Sequence, residues 1–210
     1  MSGFEIKNLA NPLYFEENVL PPHSDHKYYG SEAELASGCS SFKYSLNGLW
    51  HIHAARNLAE RPEGFEASDY DCHSWDTIAV PAHIQMEGYG KPHYTNTTYP
   101  WDGHESIVPG ELPQENPVAS YVKYFAVPEG WQDVRISFQG AETALAVWLN
   151  GHFVGYSEDS FTPSDFDLTP YVQSGENKLA VQVFRFASGS WLEDQDFWRF
   201  SGLFRGVYLY

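Results

Sequence analysis

Two short polar segments of this 210-residue chain carry side chains that could bind a ligand. The first is the acidic run at residues 193–196 (EDQD), which is flanked by Trp191, Phe197 and Trp198. Carboxylates on a rigid loop supply the oxygen ligands that hard cations prefer, and aromatic faces can stack on the C–H surface of a sugar ring. A solvated acidic turn is the alternative, because no D-x-[DN]-x-[DN]-G calcium-loop pattern is present.

The second segment places Asn96 among aromatic residues, within residues 94–100 (YTNTTYP). An amide side chain both donates and accepts hydrogen bonds, which suits the hydroxyl groups of a sugar. An Asx-turn, in which the side chain bonds the local backbone, is the alternative that the sequence alone leaves open. The same Asn begins a formal N-glycosylation sequon, but the chain shows no secretion signal, so we do not expect that modification.

Other residue types capable of chemistry are scattered along the chain. None of the nine histidines forms a His-Glu-x-x-His motif, and the two cysteines, Cys39 and Cys72, lack the spacing of a metal site. Neither a Gly-x-Ser-x-Gly elbow nor a Gly-rich phosphate loop occurs. Two cysteines are also too few for a disulfide framework, so we expect two reduced thiols in a cytoplasmic protein.

Charge and composition argue against two classes of partner. The chain has 12 basic and 28 acidic residues and a formal net charge of −16. We therefore expect neither nucleic acid nor a membrane surface as a partner, and no apolar run approaches the ~18 residues of a membrane span. The hydrophobic share of 42% supports a sizeable core, and the aromatic share of 17% suits either sugar stacking or the core of an all-β domain.

Short strands separated by turns are the elements that must position these residues. Asn150-Gly151 between two strand patterns predicts a hairpin with a type I′ turn. No amphipathic helix of ten residues or more is evident, so we predict an all-β fold, an antiparallel β-sandwich. The predicted strands lie at residues 46–53, 77–80, 121–127, 134–138, 145–149, 152–156, 178–186 and 203–210.

Three segments lack a strand pattern. Residues 1–45 are irregular and polar, which predicts an arm lying over a sandwich formed by residues 46–210. Residues 56–75 are charged and predict a loop with at most one short helix. Residues 81–117 are rich in Pro, Gly and Asn but also in aromatic surface worth burying, which predicts an ordered functional loop system rather than a linker.

Several of these segments together resemble the N-terminal, sugar-binding domain of β-galactosidases of glycoside hydrolase family 2. The YTN block followed by the EDQD block separates β-galactosidases from the related glucuronidases and mannosidases. The resemblance extends from residue 11 to residue 210 and implies a jelly-roll-like, galactose-binding-domain-like β-sandwich that packs on a catalytic (β/α)₈ barrel. The segments that carry it are 46–50 (LNGLW), 80–89 (VPAHIQMEGY), 92–100 (PHYTNTTYP), 115–117 (ENP), 150–157 (NGHFVGYS), 163–168 (PSDFDL) and 191–205 (WLEDQDFWRFSGLFR).

The resemblance implies roles for three residues. Asn96 and Asp196 would hydrogen-bond hydroxyl groups of a galactosyl group, and Asp196 would also ligate a Na⁺ that bridges protein and sugar. Asp194 would support the same loop. The implied activity is the retaining hydrolysis of terminal β-D-galactosyl residues, such as that of lactose, by a full-length enzyme that forms a homo-oligomer.

The catalytic groups for that hydrolysis are expected outside these 210 residues. A retaining glycosidase needs two carboxyl groups about 5–5.5 Å apart. In this family both are glutamates of the barrel, where the Mg²⁺ site also lies, and a barrel takes ~250 residues by itself. We therefore expect a domain-length fragment, inactive alone, that lacks the barrel and the immunoglobulin-like domains. Two alternatives remain: a free-standing carbohydrate-binding module and a purely structural interaction domain.

Overall fold

A computed structural model describes residues 3–24, 27–193 and 196–210 of the chain. The strands of this part form three antiparallel sheets. One has seven strands in the order β1-β9-β8-β11-β6-β3-β4, a second has four in the order β10-β7-β13-β2, and the third pairs β12 with β5. The bounds are β1 (Glu16–Glu17), β2 (Tyr44–Ser45), β3 (Gly48–Ala55), β4 (Asp76–Val80), β5 (His93–Thr95), β6 (Val118–Ala126), β7 (Arg135–Phe138), β8 (Ala144–Leu149), β9 (His152–Ser157), β10 (Ser164–Asp167), β11 (Glu176–Phe184), β12 (Phe197–Arg199) and β13 (Val207–Leu209).

The main core lies between the two larger sheets. Along β3, Trp50 and Ile52 are buried in it, whereas His51 between them is on the opposite face, as the period-two pattern predicts. From the four-stranded sheet, Ile136 and Val207 are fully buried against the same cluster. Two antiparallel sheets packed face to face are a β-sandwich, so the predicted fold class is confirmed.

The seven-stranded sheet is buried on both of its faces. Its outer face includes Phe184, and the segments that cover it bring in Leu9 and Phe65, which are 0% and 1% exposed. Phe4 adds a ring stacked on that of Tyr156, with centroids 5.0 Å apart. A sheet covered on both faces needs apolar residues at successive positions, which explains why the central strands show nearly continuous apolar sequence.

All eight predicted strands are present, with ends that differ by up to four residues. The predicted hairpin turn is also confirmed, because Asn150 and Gly151 have φ values of 52° and 82° and a type I′ turn needs positive φ at both positions. The last strand is shorter than predicted. Its expected first residue, Leu203, instead accepts a backbone hydrogen bond from Ala82 at 2.8 Å.

Helical structure is sparse. The α-helix α1 (Glu32–Ser37) has six residues, begins at an N-cap hydrogen bond to Ser31 Oγ and ends at Gly38, whose φ is 73°. Residues 56–75 form turns without a helix. In the described part of the chain no helix is long and apolar enough to cross a lipid bilayer.

Replacing Leu9 by Ala is expected to lower the free energy of unfolding by roughly 2–4 kcal/mol, the range for a buried Leu→Ala substitution. Leu9 is fully buried under the outer face of the seven-stranded sheet, whereas Leu13, in the same segment, is 89% exposed. Leu13→Ala is therefore the matched control, with an expected change below about 0.5 kcal/mol. Urea unfolding of the purified chain measures both, and equal losses would contradict the burial of Leu9.

Candidate functional site

Strands β5 and β12 bring the two candidate residues together. Their antiparallel pairing covers three residues on each strand and ends with Thr95 opposite Phe197. Asn96 directly follows Thr95 and Asp196 directly precedes Phe197, so the two residues lie next to each other at the same end of this small sheet. The pairing thus joins two segments that are far apart in the sequence.

The side chains of Asn96 and Asp196 are exposed and locally held. The Tyr94 hydroxyl donates to a carboxylate oxygen of Asp196 at 2.5 Å, and this hydrogen bond raises the pKa of Tyr94. The carboxamide oxygen of Asn96 accepts from the backbone N–H of Thr97 at 2.7 Å. A carboxylate and an amide in this arrangement can accept from and donate to sugar hydroxyl groups.

Two large aromatic side chains of the same sheet are exposed. Tyr94 and Trp198 face each other across the strands, with ring centroids 5.6 Å apart, and are 49% and 51% exposed. Neighbouring exposed rings of this size are typical of a contact surface. They offer an apolar face beside Asp196, of the kind that a sugar ring or another protein surface would cover.

A tightly held turn precedes the acidic run. The 3₁₀ turn Ser188–Trp191 is fixed by the buried carboxylate of Glu158, which accepts from Ser188 Oγ at 2.8 Å and from the Gly189 N–H at 2.7 Å. Burial raises the pKa of Glu158, and these hydrogen bonds oppose that rise. Asp194, which was predicted to support the loop, lies outside the described residues.

The Pro-rich loop system packs against this turn, which confirms that it is ordered. Trp101 is 4% exposed and its ring centroid lies 4.6 Å from that of Trp191. The Tyr99 hydroxyl donates to the Trp191 carbonyl at 3.2 Å. At the other end of the loop system, the fully buried Asn116 donates to the carbonyl of Phe186 at 2.8 Å and accepts from its N–H at 3.0 Å.

Four charged residues meet beside the β5–β12 sheet. Arg185, Arg199 and Glu142 are 8%, 7% and 5% exposed, and Glu193 is partly buried. With Phe197 and others they line a cavity of roughly 10 Å³, room for about one water molecule. Arg185 donates from Nη2 to the backbone carbonyl of Arg199 at 2.7 Å.

Two carboxyl groups of this cluster hold their protons to unusually high pH. Burial, followed by the negative charge of Glu193, raises the pKa of Glu142 to about 7, although Arg185 and Arg199 oppose the rise. Burial also raises the pKa of Glu193 to about 7, against a hydrogen bond from Ser160 that favours the charged form. Near neutral pH the cluster therefore carries less negative charge than its composition indicates.

Comparison with known proteins identifies the family. Residues 43–210 match the model of the sugar binding domain of glycosyl hydrolases family 2. The chain belongs to this family. Both candidate residues and all four members of the charged cluster fall within the matched segment.

Relatives of this sugar-binding domain include several β-galactosidases. That of Halalkalibacterium halodurans is 58% identical over 200 residues, which are 93% of the domain and 20% of the relative. That of Lactobacillus delbrueckii subsp. bulgaricus is 50% identical over 203 residues, 96% of the domain and 20% of the relative. A β-galactosidase large subunit from Leuconostoc lactis is 48% identical over 214 residues, which cover 95% of the domain and 34% of the relative. The domain spans only 20 to 34% of these relatives.

Solved structures share the fold of the domain. A Bacteroides uniformis β-glucuronidase superimposes with a TM-score of 0.59 at 21% identity, over 80% of the domain and 17% of that chain. A β-glycosidase from Bacteroides vulgatus superimposes with a TM-score of 0.57 at 26% identity, over 80% of the domain and 20% of that chain. The first of these likenesses shows the β-sandwich alone, because so low an identity carries no information on the substrate.

Asp196 is the residue at which a Na⁺ ligand was expected. Asp196 has an exposed carboxylate, and hard cations prefer oxygen ligands. Among the residues that the structure describes, no three His, Cys, Asp or Glu side chains converge on a metal site. Asp196 therefore fits part of a cation site whose other ligands would have to come from elsewhere.

Sequence reasoning missed three members of the charged cluster, Arg185, Arg199 and Glu142, and singled out only Glu193, as part of the acidic run. Arg185 lies in VFRFA (183–187) and Arg199 in FWRFS (197–201), and an arginine inside an apolar strand pattern must find buried partners. That signal could have identified both arginines. Glu142, within GAETA (140–144), carries no comparable signal, because its burial depends on the sheets that surround it.

Glu142→Gln is expected to reduce the pH dependence of stability. In the folded protein Glu142 keeps its proton up to about pH 7, whereas in the unfolded chain its pKa has the ordinary value of 4.5. The folded state therefore binds more protons between these pH values, and the free energy of unfolding of the wild type falls as the pH rises through them. Relative to wild type, the variant should gain on the order of 2 kcal/mol between about pH 5 and about pH 8.

Urea unfolding at the two pH values measures this gain. Glu129→Gln is the control, because Glu129 is exposed. The stability of this variant should follow that of the wild type at both pH values. A Glu142→Gln profile parallel to the wild type would show that this carboxyl group ionises normally in the folded domain.

Proposed function

We propose that this domain is the N-terminal part of a β-galactosidase and completes the galactose subsite of that enzyme. The observation that carries the proposal is the meeting of Asn96 and Asp196 at one exposed end of the β5–β12 sheet, in a chain 58% identical to a β-galactosidase. The substrates would be terminal β-D-galactosides such as lactose. The expected partners are the remaining domains of the same polypeptide, within a homo-oligomer.

The two polar side chains would fix the galactosyl group by complementary hydrogen bonds. The Asp196 carboxylate can only accept, whereas the Asn96 amide can also donate, so together they distinguish hydroxyl positions by donor and acceptor pattern. Tyr94 donates to Asp196 and so restrains the carboxylate. Bond cleavage would belong to two glutamates of a catalytic barrel outside this chain. The domain itself would bind and orient the substrate.

We also propose that Asp196 contributes a ligand to a Na⁺ between the domain and the sugar. The support is its exposed carboxylate in a domain with a net charge of −16, where a cation would reduce repulsion near the bound sugar. The Mg²⁺ of the full-length enzyme would be held by the barrel.

A free-standing carbohydrate-binding module is the second candidate function. The exposed rings of Tyr94 and Trp198 favour it, because a sugar ring can stack on an exposed aromatic face without help from another domain. The two candidates differ in what the isolated chain does. A half-site lacks the affinity that the barrel supplies, whereas an autonomous module binds by itself.

A hybrid enzyme provides the test of the first candidate. This chain replaces the matching 200 residues of the Halalkalibacterium halodurans β-galactosidase, the relative at 58% identity. The hybrid is expected to hydrolyse lactose, and the isolated chain is not. A folded, oligomeric hybrid without activity would contradict the proposal.

In that hybrid, Asn96→Ala and Asp196→Ala are each expected to lower kcat/KM by about 30- to 1,000-fold, the effect of losing ~2–4 kcal/mol of transition-state binding. Folding should survive because both side chains are exposed. Asp69→Ala removes another exposed carboxylate and should retain wild-type kinetics. Wild-type kcat/KM in the Asn96 and Asp196 variants would favour a purely structural role for the domain.

Proton NMR titration of the purified chain with galactose and lactose in sodium buffer separates the two candidates. We expect no saturable shifts and intact lactose after overnight incubation, because a domain that supplies only part of the galactose subsite binds too weakly alone. Saturable shifts without hydrolysis would favour the free-standing module. Release of glucose and galactose would place catalytic residues within these 210 residues, contrary to the proposal.

A further inference from the structure

The β5–β12 sheet is too small to fix its own geometry. It consists of two strands of three residues each. Two-stranded sheets in isolation are marginally stable in water at best. Asn96 and Asp196 lie beyond its last pair, at an exposed end. Side-chain contacts must therefore supply the rigidity that a shared ligand would need.

Arg199 reaches both of the segments that carry the candidate residues. Its Nε donates at 3.1 Å to Oγ1 of Thr95, the residue directly before Asn96. Its Nη1 donates to the backbone carbonyl of Glu193, three positions before Asp196. A guanidinium group is planar and its N–H groups form a rigid fork, so these two bonds set one distance between the segments.

Arg199 is itself held from several sides. Its carbonyl accepts from Nη2 of Arg185 at 2.7 Å, and its guanidinium carbon lies 4.5 Å from the centroid of the Phe197 ring. Arg199 is only 7% exposed, so moving its guanidinium away from these acceptors would cost the buried charge its hydrogen bonds. The backbone and the guanidinium group of Arg199 are therefore both held in place, and with them the link between the two segments.

We propose that Arg199, through its bonds to Thr95 and Glu193, is a positioning residue that holds Asn96 and Asp196 at the spacing needed to bind one galactosyl group. The inference rests on the proposed function for the role of that pair. Arg199 does not touch the sugar in this account. It acts by fixing the distance between two residues that do.

Substitutions at Thr95 test the link with little change of shape. In the hybrid enzyme, Thr95→Val removes the acceptor of Arg199 and is expected to lower kcat/KM by roughly 10- to 100-fold, the effect of misplacing a positioning group. Thr95→Ser keeps the hydroxyl group and should restore kcat/KM to within about threefold of wild type. Arg199→Lys, which keeps the charge but loses the fork, should lose as much as Thr95→Val.

A double-mutant cycle separates positioning from a general structural role. When Thr95→Val is added to the variant that already carries Asn96→Ala and Asp196→Ala, kcat/KM should fall by less than about a further twofold. The side chains to be positioned are already absent from that variant. Fully additive losses would overturn the proposal. So would normal kcat/KM in Thr95→Val when Asn96→Ala and Asp196→Ala are impaired, and in that case the proposed function would stand.

NMR of the isolated chain tests the link independently of activity. Thr95→Val is expected to shift the backbone amide resonance of Asp196, which is far from residue 95 in the sequence. It should also speed exchange of the Glu193 amide hydrogen, which is bonded to the Gly189 carbonyl at 2.9 Å, at least tenfold. Thr95→Ser should leave both near wild type. An unchanged Asp196 amide shift together with unchanged Glu193 exchange in Thr95→Val would overturn the proposal. This result is decisive even if the hybrid is inactive and the proposed function fails.

Discussion

Strand β11 is the constraint on which the rest of the structure depends. It pairs with β6 over nine residues and with β8 over six, and all of it except Glu176 is buried. A slip of one residue would exchange the side chains of its two faces, both of which contact cores, so its register is strongly specified. The chain leaves β11 directly into Arg185 and the turn that precedes the acidic run. The position of the site therefore follows from the register of the central sheet.

Buried cations in this domain bond the backbone. Lys178 Nζ donates to the carbonyls of Ala67 and Tyr70 at 2.7 and 2.6 Å, and Arg185 donates to the carbonyl of Arg199. Backbone acceptors are fixed by the fold, so such bonds act as braces between loops and sheet, in addition to offsetting the cost of burying the charge. Each brace joins segments that have no strand pairing with each other. The loops consequently gain order from side chains that look merely charged in the sequence.

The exposure of Asn96 and Asp196 fits a shared site. Complete small-molecule sites are concave and surround most of the ligand, whereas these two side chains and the rings of Tyr94 and Trp198 stand at an open surface. Under the proposed function, the domain contributes orientation and the barrel contributes enclosure and catalysis. Rigidity is then the property that the domain must provide, and the buried network beneath the β5–β12 sheet provides it.

The sequence by itself determined the long strands, the hairpin at Asn150-Gly151 and the two residues that meet at the site. Long strands show period-two patterns or continuous apolar runs, and a type I′ turn has a local signature, so neither needs knowledge of distant segments. Resemblance to a family singled out Asn96 and Asp196 without any geometry.

Only the tertiary structure decided how these parts are joined. The strands β1, β2, β5, β10 and β12, of two to four residues, are too short for a pattern and exist because of their partners. Burial of Glu142, with its pKa raised to about 7, arises from the surrounding elements rather than from its neighbours in sequence. The bond from Arg199 to Thr95 likewise spans a separation that no local rule covers. Long-range contacts of this kind depend on the packing of the whole domain, which is why they appear only in the folded molecule.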